Sequence, residues 1–166
     1  MLKVFKENDI KVTFFVGGCW VGNNSEMLQA IYHNGHEIGN HGYFHKDHKS
    51  ISLEKNQEEI YLTHKIVKEN IGIEMELFAP PSGSYNNDTL SVAYNLGYKT
   101  IMWTKDTIDW RDKNTTLIYN RAVAKPSNGD LILMHPTKNT LEALPDIINF
   151  YKSNGYNLVT VTENIT

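Results

Sequence analysis

Disulfide chemistry is the first thing this sequence does without: in 166 residues there is one cysteine, Cys19, so no internal bridge can form and packing must hold the chain. That count argues neither for nor against an oxidising compartment, and Cys19 is expected to be a small buried hydrophobe. A surplus of one charge is also missing. Sixteen basic against nineteen acidic residues give a formal net charge of -3. Lysines such as Lys46, Lys49 and Lys55 are interspersed with acids, which excludes the basic stripe of a nucleic-acid binder. No apolar run approaches membrane-spanning length, and the opening stretch MLKVFKENDIKVTFFVGG is interrupted by charge every two or three residues, so no span and no signal peptide is read in it. Repeats and low-complexity tracts are absent too. What is present, 40% hydrophobic and 21% charged residues, is ordinary globular composition and excludes disorder as a class. The length is that of one domain, residues 1–166, able to bury a core without staples.

Short β-rich runs alternate with longer stretches of helical period, the pattern of strand-helix units around a parallel sheet, so the fold class is α/β. Six strands are expected: Val12 to Val16, His36 to Gly39, Glu76 to Ala79, Lys99 to Trp103, Asp130 to His135 and Asn157 to Val161. Ser25 is placed to cap a helix ending at Gly35. Ser52 opens a long one with Leu53, Gln57, Ile60, Tyr61, His64 and Val67 on its face, closing near Gly72. Asn86 or Asn87 and Asn114 start two more, and a last helix carries Leu141, Leu144, Ile147, Ile148 and Tyr151 on one stripe, with Pro145 inside and Gly155 beyond. Leu2 to Asn8 reads as a helix with no strand before it. Since such a helix packs on the strand it follows, the opening strand of the architecture is expected to be missing.

Four of the seven histidines fall in thirteen positions, HEIGNHGYFHKDH, at His36, His41, His45 and His48. His41 and His45 are four apart, which on a helical turn places both imidazoles on one side, within reach of a shared zinc-type ion. A catalytic zinc takes three protein ligands, so a third is needed, with Asp47 the nearest candidate and His48 and His36 behind it. A solvated histidine-rich loop is the alternative. Asp109 and His135 can form a carboxylate-imidazole pair in which the carboxylate fixes the tautomer and raises proton affinity, making a general acid; the alternative is a strand-ending histidine satisfied by backbone. Trp110 offers an apolar wall for a sugar ring, or is core. The FAPPSGSYN segment is a stiff turn in which Gly83 allows unusual backbone, with amides available to an oxyanion. These groups follow successive expected strands, where working residues of parallel α/β folds gather.

Taken in order, these motifs resemble the polysaccharide deacetylases, carbohydrate esterase family four, over nearly the whole chain. HGYFH is similar to the family's His-Ser/Thr-x-x-His motif, with Gly42 at the hydroxyl position. APPSG aligns with Arg-x-Pro-x-Gly, Ala79 standing at the arginine; DTIDW matches the fourth motif and ILMH the fifth. The resemblance implies a distorted (β/α) barrel of about seven parallel strands, with the opening one missing here. It implies a hydrolase of carbon-nitrogen bonds other than peptide bonds, which removes N- or O-acetyl groups from an acetylated amino-sugar polymer of chitin or peptidoglycan type at the cell wall or outside the cell. It further implies a divalent metal, zinc with cobalt or nickel as substitutes, on His41 and His45. His135 would be the catalytic acid paired with Asp109, and Pro81, Ser82, Gly83, Tyr85 and Trp110 would bind substrate. The family's first motif, Thr-Phe-Asp-Asp-Gly, supplies the general base and third metal ligand, and no Asp-Asp pair precedes KVTFF. The expectation is therefore an acid half without its base, with deacetylation severely reduced; the alternative is a glycan-binding or interaction protein on the same fold.

Overall fold

The computed structural model describes residues 1–166, and the chain divides into two compact units, Thr13–Met102 and a second made of Met1–Val12 with Trp103–Thr166. All strand pairing is parallel. The class is α/β, as the alternating pattern requires.

In the first unit β1 (Thr13–Val16), β2 (Glu37–Asn40), β3 (Leu77–Phe78) and β4 (Lys99–Thr100) lie side by side in that order. Register is set by Thr13 opposite Glu37 and Leu77 opposite Lys99. The sheet runs on beyond the short strands: Ala79 N–H donates to Asn40 O, and His41 N–H to Val16 O, each at 3.0 Å. The chain just after β1 is helical, α2 (Gly18–Asn23), which the sequence reading did not anticipate, and α3 (Ser25–His33) follows directly with Asn24, one residue earlier than expected, at its cap position. Cys19 sits on the outer side of α2 and is exposed, because Gly18 and Val21 are the residues that short helix buries. α4 (Leu53–Ile71) opens on Ser52, whose hydroxyl accepts Lys55 N–H, and stops at Gly72 in the left-handed conformation. Its buried face differs from the expected one. Asn56, Glu59, Ile60, Thr63 and Val67 are inside, while Leu53 and Tyr61 are exposed, since the helix turns polar side chains inward to hold the histidine loop. α5 (Asn87–Asn95) starts with a reciprocal cap between Asn86 and Thr89.

The second unit contains α1 (Leu2–Glu7), the parallel pair β5 (Lys105–Asp106) and β6 (Ile132–Leu133), α6 (Thr115–Ala122), α7 (Lys138–Ser153) and α8 (Val161–Ile165). Strand β5 was not expected; it forms because Lys105 N–H and Thr104 N–H both find Leu131 O. The expected strand Asn157 to Val161 is absent. Thr160 and Glu163 instead make a reciprocal cap that starts α8, and such a cap commits the following residues to helix. The core is Ile118 and Ala122 of α6 against Ala143, Ile147 and Tyr151 of α7, with Leu158 and Met134 packed on it. Leu141 is exposed, contrary to the expected stripe, which runs through Thr140 and Ala143 into Leu144.

Candidate functional site

Loop 41–47 follows β2 and contains no helix, so the pairing of His41 and His45 does not arise from a helical turn. It arises from two left-handed residues, Gly42 (φ 72°) and His45 (φ 56°), which double the chain back and bring the imidazole centroids to 5.1 Å, edge to face. Only glycine adopts the first of these without strain. A Cβ there would also lie 3.0 Å from His48 Nε2 and 3.2 Å from Glu59 Oε2. His41 Nδ1 meets the Ala79 carbonyl at 2.7 Å. A carbonyl accepts only, so Nδ1 carries the proton and the neutral ring's lone pair lies on Nε2, the arrangement of a metal-ligating histidine held by an outer partner.

The loop itself hangs on α4. Glu59 Oε2 accepts Tyr43 N–H at 2.8 Å and Phe44 N–H at 2.7 Å, and Asn40, fully buried, accepts Gly42 N–H at 2.9 Å while donating to Ile60 O. Gly18 and Cys19 N–H donate to Gly42 O and Tyr43 O. Sequence reasoning missed Asn40, Asn56 and Glu59. Their signal was polar residues recurring on the inner face of a long helix, beside a strand ending in asparagine.

Of the reserves for a third ligand, Asp47 and His48 Nδ1 are otherwise engaged. Asp47 accepts from Ser84 Oγ and from Ser50 Oγ, the latter at 2.8 Å, hydrogen bonds that hold its carboxyl below the usual range, the first of them clamping the loop to the turn after β3. His48 is wholly buried with Nδ1 on Asn56 Oδ1 at 2.7 Å; burial pushes its proton affinity down, and its Nε2 has no partner. His36 is buried, its ring edge-on to Phe14. No group of three or more His, Cys, Asp or Glu side chains able to hold a metal is formed. Two imidazoles fall short of the three protein donors of a catalytic zinc, so the residues present do not close a shell.

Beyond β3, Pro81–Gly83 form a tight turn in which both Ser82 (φ 55°) and Gly83 (φ 64°) are left-handed. Pro81 is buried, and Ser82 and Tyr85 are exposed. The conformation expected of Gly83 is thus shared by a serine, for which it is strained.

In the other unit, Asp109 and His135 are joined as expected. Asp109, 1% exposed, takes His135 Nδ1 at 2.7 Å on Oδ1, and His135 N–H and Thr140 Oγ1–H on Oδ2, both at 2.6 Å. Burial alone would raise its pKa, but the hydrogen bonds from His135 and Thr140 outweigh that and hold it below the ordinary value. His135 is raised, first by the bond to Asp109, against burial. Ile108, just before Asp109, is left-handed at φ 54°, an outlier for a β-branched residue. Its amide is held by Asp106 Oδ1 and its carbonyl by Arg111 and Asp112 N–H. Arg121 fastens the same loop through Thr107 O and Asp112. Trp110 is 59% exposed and is not core.

The chain thus combines a parallel α/β scaffold with a buried carboxylate-imidazole pair and a histidine pair after its strands. A family model described as polysaccharide deacetylase matches residues 1–101. A peptidoglycan-N-acetylglucosamine deacetylase of Bacillus cereus is 32% identical over 169 residues, 98% of this chain and 79% of that one. The uncharacterized protein YlxY of Bacillus subtilis is 40% identical over 163 residues, 98% of this chain and 51% of that one. Among solved structures, a CE4 family pseudoenzyme from Bacillus anthracis superposes with a TM-score of 0.96 at 34% identity, over 99% of this chain and 59% of that chain. A mutant of that pseudoenzyme with restored enzymatic activity matches with the same score. The chain belongs to the polysaccharide deacetylase family. It spans about half the length of YlxY and about three fifths of the pseudoenzyme.

Proposed function

We propose that this chain recognises an acetylated amino-sugar polymer of the peptidoglycan or chitin-oligomer type on a deacetylase scaffold whose hydrolytic capacity is impaired. The observation that carries this reading is the contrast between its carboxylate-imidazole pair and its histidine pair. Asp109 and His135 have every partner a general acid needs, whereas His41 and His45 are a two-donor set. In this reading His41 and His45 are the metal ligands, for zinc with cobalt or nickel as substitutes. His135 is the proton donor, its proton affinity raised by the bond to Asp109, and Pro81, Ser82, Gly83 and Tyr85 and, on the other unit, Trp110 are substrate contacts. Similarity to a named pseudoenzyme supports the impaired form of the activity.

The test measures acetate release from N-acetylglucosamine oligomers and from peptidoglycan with added zinc or cobalt, alongside oligomer binding followed by titration. Binding without turnover is the expected result. Turnover comparable with the Bacillus cereus relative would reject the impairment and favour the second reading, a working metal-dependent hydrolase, for which the completed Asp109–His135 pair speaks. Absence of both binding and turnover would reject the glycan assignment.

A further inference from the structure

A carboxylate can only accept hydrogen bonds, and that fixes the direction of a chain of hydroxyls behind Asp109. Thr140, fully buried in the first turn of α7, has one hydroxyl proton, and at 2.6 Å from Asp109 Oδ2 that proton goes to the carboxylate. The 2.8 Å contact between the Thr137 and Thr140 hydroxyls must then run with Thr137 donating. Thr137 Oγ1 in turn accepts Thr140 N–H at 3.1 Å, which keeps its own hydroxyl aimed along the chain. Three groups therefore donate to the buried carboxylate, and one of them, Thr140, is neither His135 nor its backbone. The positive end of α7 adds to their effect. The neighbours of Thr140 along the buried stripe, Ala143 and Leu144, are apolar, so packing alone is served equally by valine.

We propose that Thr140 is a positioning residue for the proton donor: its hydroxyl, oriented by Thr137, keeps Asp109 ionised and turned so that Oδ1 holds the Nδ1–H of His135. This rests on the reading of His135 as the proton donor. The remaining charged groups of this loop are Asp106, occupied by Ile108 N–H, and Asp112, which pairs with both Arg111 and Arg121.

The experiment is a carbon-13 NMR titration of the Asp109 carboxyl in the full chain, with nitrogen-15 shifts of the His135 ring recorded in the same samples. Thr140→Val is expected to raise the Asp109 midpoint by about one pH unit, the size of one lost hydrogen bond to a charged acceptor, and to mix the His135 tautomers. Thr140→Ser should keep both wild-type values, and Thr137→Ala should raise the midpoint by less. An Asp109 midpoint unmoved in Thr140→Val, or a serine variant that behaves like valine, overturns the inference. Should the valine variant fail to fold, an unmoved midpoint in Thr137→Ala overturns it instead. An oligomer that leaves the His135 resonances untouched, while Thr140→Val still moves Asp109, would defeat the reading of the site and support the role of Thr140.

Discussion

Replacing Glu59 with alanine should release the histidine loop from α4. One oxygen of this 5%-exposed side chain, Oε2, accepts the backbone N–H groups of both Tyr43 and Phe44, at 2.8 and 2.7 Å. A hydrogen bond to an ionised acceptor is worth ~1.5–3 kcal/mol. Tyr43 is half-buried and Phe44 exposed, so water recovers much of the second bond in the variant, and the net loss comes to about 2–4 kcal/mol. For a chain of this size each kcal/mol moves the melting temperature by ~2–4 °C, which places Glu59→Ala roughly 5–15 °C below wild type. Glu59→Gln is the informative partner: because both donors use the same oxygen, an amide carbonyl can keep both bonds at neutral strength, losing about half as much. The assay is thermal unfolding combined with hydrogen exchange at the two amides. Alanine should reduce their protection by about tenfold for every 1.4 kcal/mol of local stability lost, and glutamine should retain most of it. Wild-type melting and protection in Glu59→Ala, or a glutamine variant as damaged as alanine, would refute the anchoring argument.

Two other perturbations test the packing and the proton donor. A Cβ on Gly18 would fall 2.8 Å from Tyr43 Cε2 and 2.9 Å from Thr63 Oγ1, so Gly18→Ala should lower stability by ~1–3 kcal/mol. In the same helix Gly22→Ala meets only Ile66 Cδ1 at 3.4 Å and should raise stability by about 0.5–1 kcal/mol; denaturant melts giving both variants the same sign would contradict the contact geometry. For pH, His135 is raised above its ordinary 6.5, so its stabilising contribution is complete below 6.5 and is lost as pH rises through the higher folded value. Asp109 is held below its ordinary 3.8, so its contribution is present above 3.8 and is lost as pH falls through the lower one. The stability difference between wild type and His135→Gln should therefore be greatest between those two ordinary values and shrink on the alkaline side; a difference that grows above neutral pH would reject the pairing.

Helix ends were legible in the sequence because their signals are local. Ser52 and Asn114 cap as read, Asn86 is the one of the two asparagines offered that caps α5, and Gly72 ends α4 in the left-handed conformation. Strand ends were less so. The expected run Lys99 to Trp103 pairs only at Lys99–Thr100, and β5 was invisible because Lys105 and Asp106 carry no β signature and are recruited by Leu131 and by β6. The 157–161 run was misread for the opposite reason: its alternating residues suit a strand, but the Thr160–Glu163 cap overrides them. Pairs within reach of one another were read correctly for Asp109 with His135. For His41 with His45 the pairing was right and its cause was wrong, since backbone reversals at Gly42 and His45 do not show as periodicity.

Five histidines turn Nδ1 toward an acceptor, and for His41, His48 and His135 the acceptor's charge separates what each can do. His41 faces a backbone carbonyl, His48 the side-chain amide of Asn56 and His135 the carboxylate of Asp109. Each acceptor selects the Nδ1–H tautomer. A neutral acceptor gives no Coulombic reward for a second proton. Burial pushes His48 toward the neutral form against the opposing pull of the Asn56 bond, as befits a ring that fills space beneath the loop. A carboxylate does reward that proton, and His135 is accordingly raised and keeps 40% of its side chain exposed, so a proton it holds can be delivered. The carbonyl on His41 serves the remaining need, a ring fixed in direction without an added negative charge, which is what a metal ligand requires, because only the neutral imidazole has a lone pair to give. One side-chain type thus supports the three roles proposed for it, and the partner on the inner nitrogen distinguishes them.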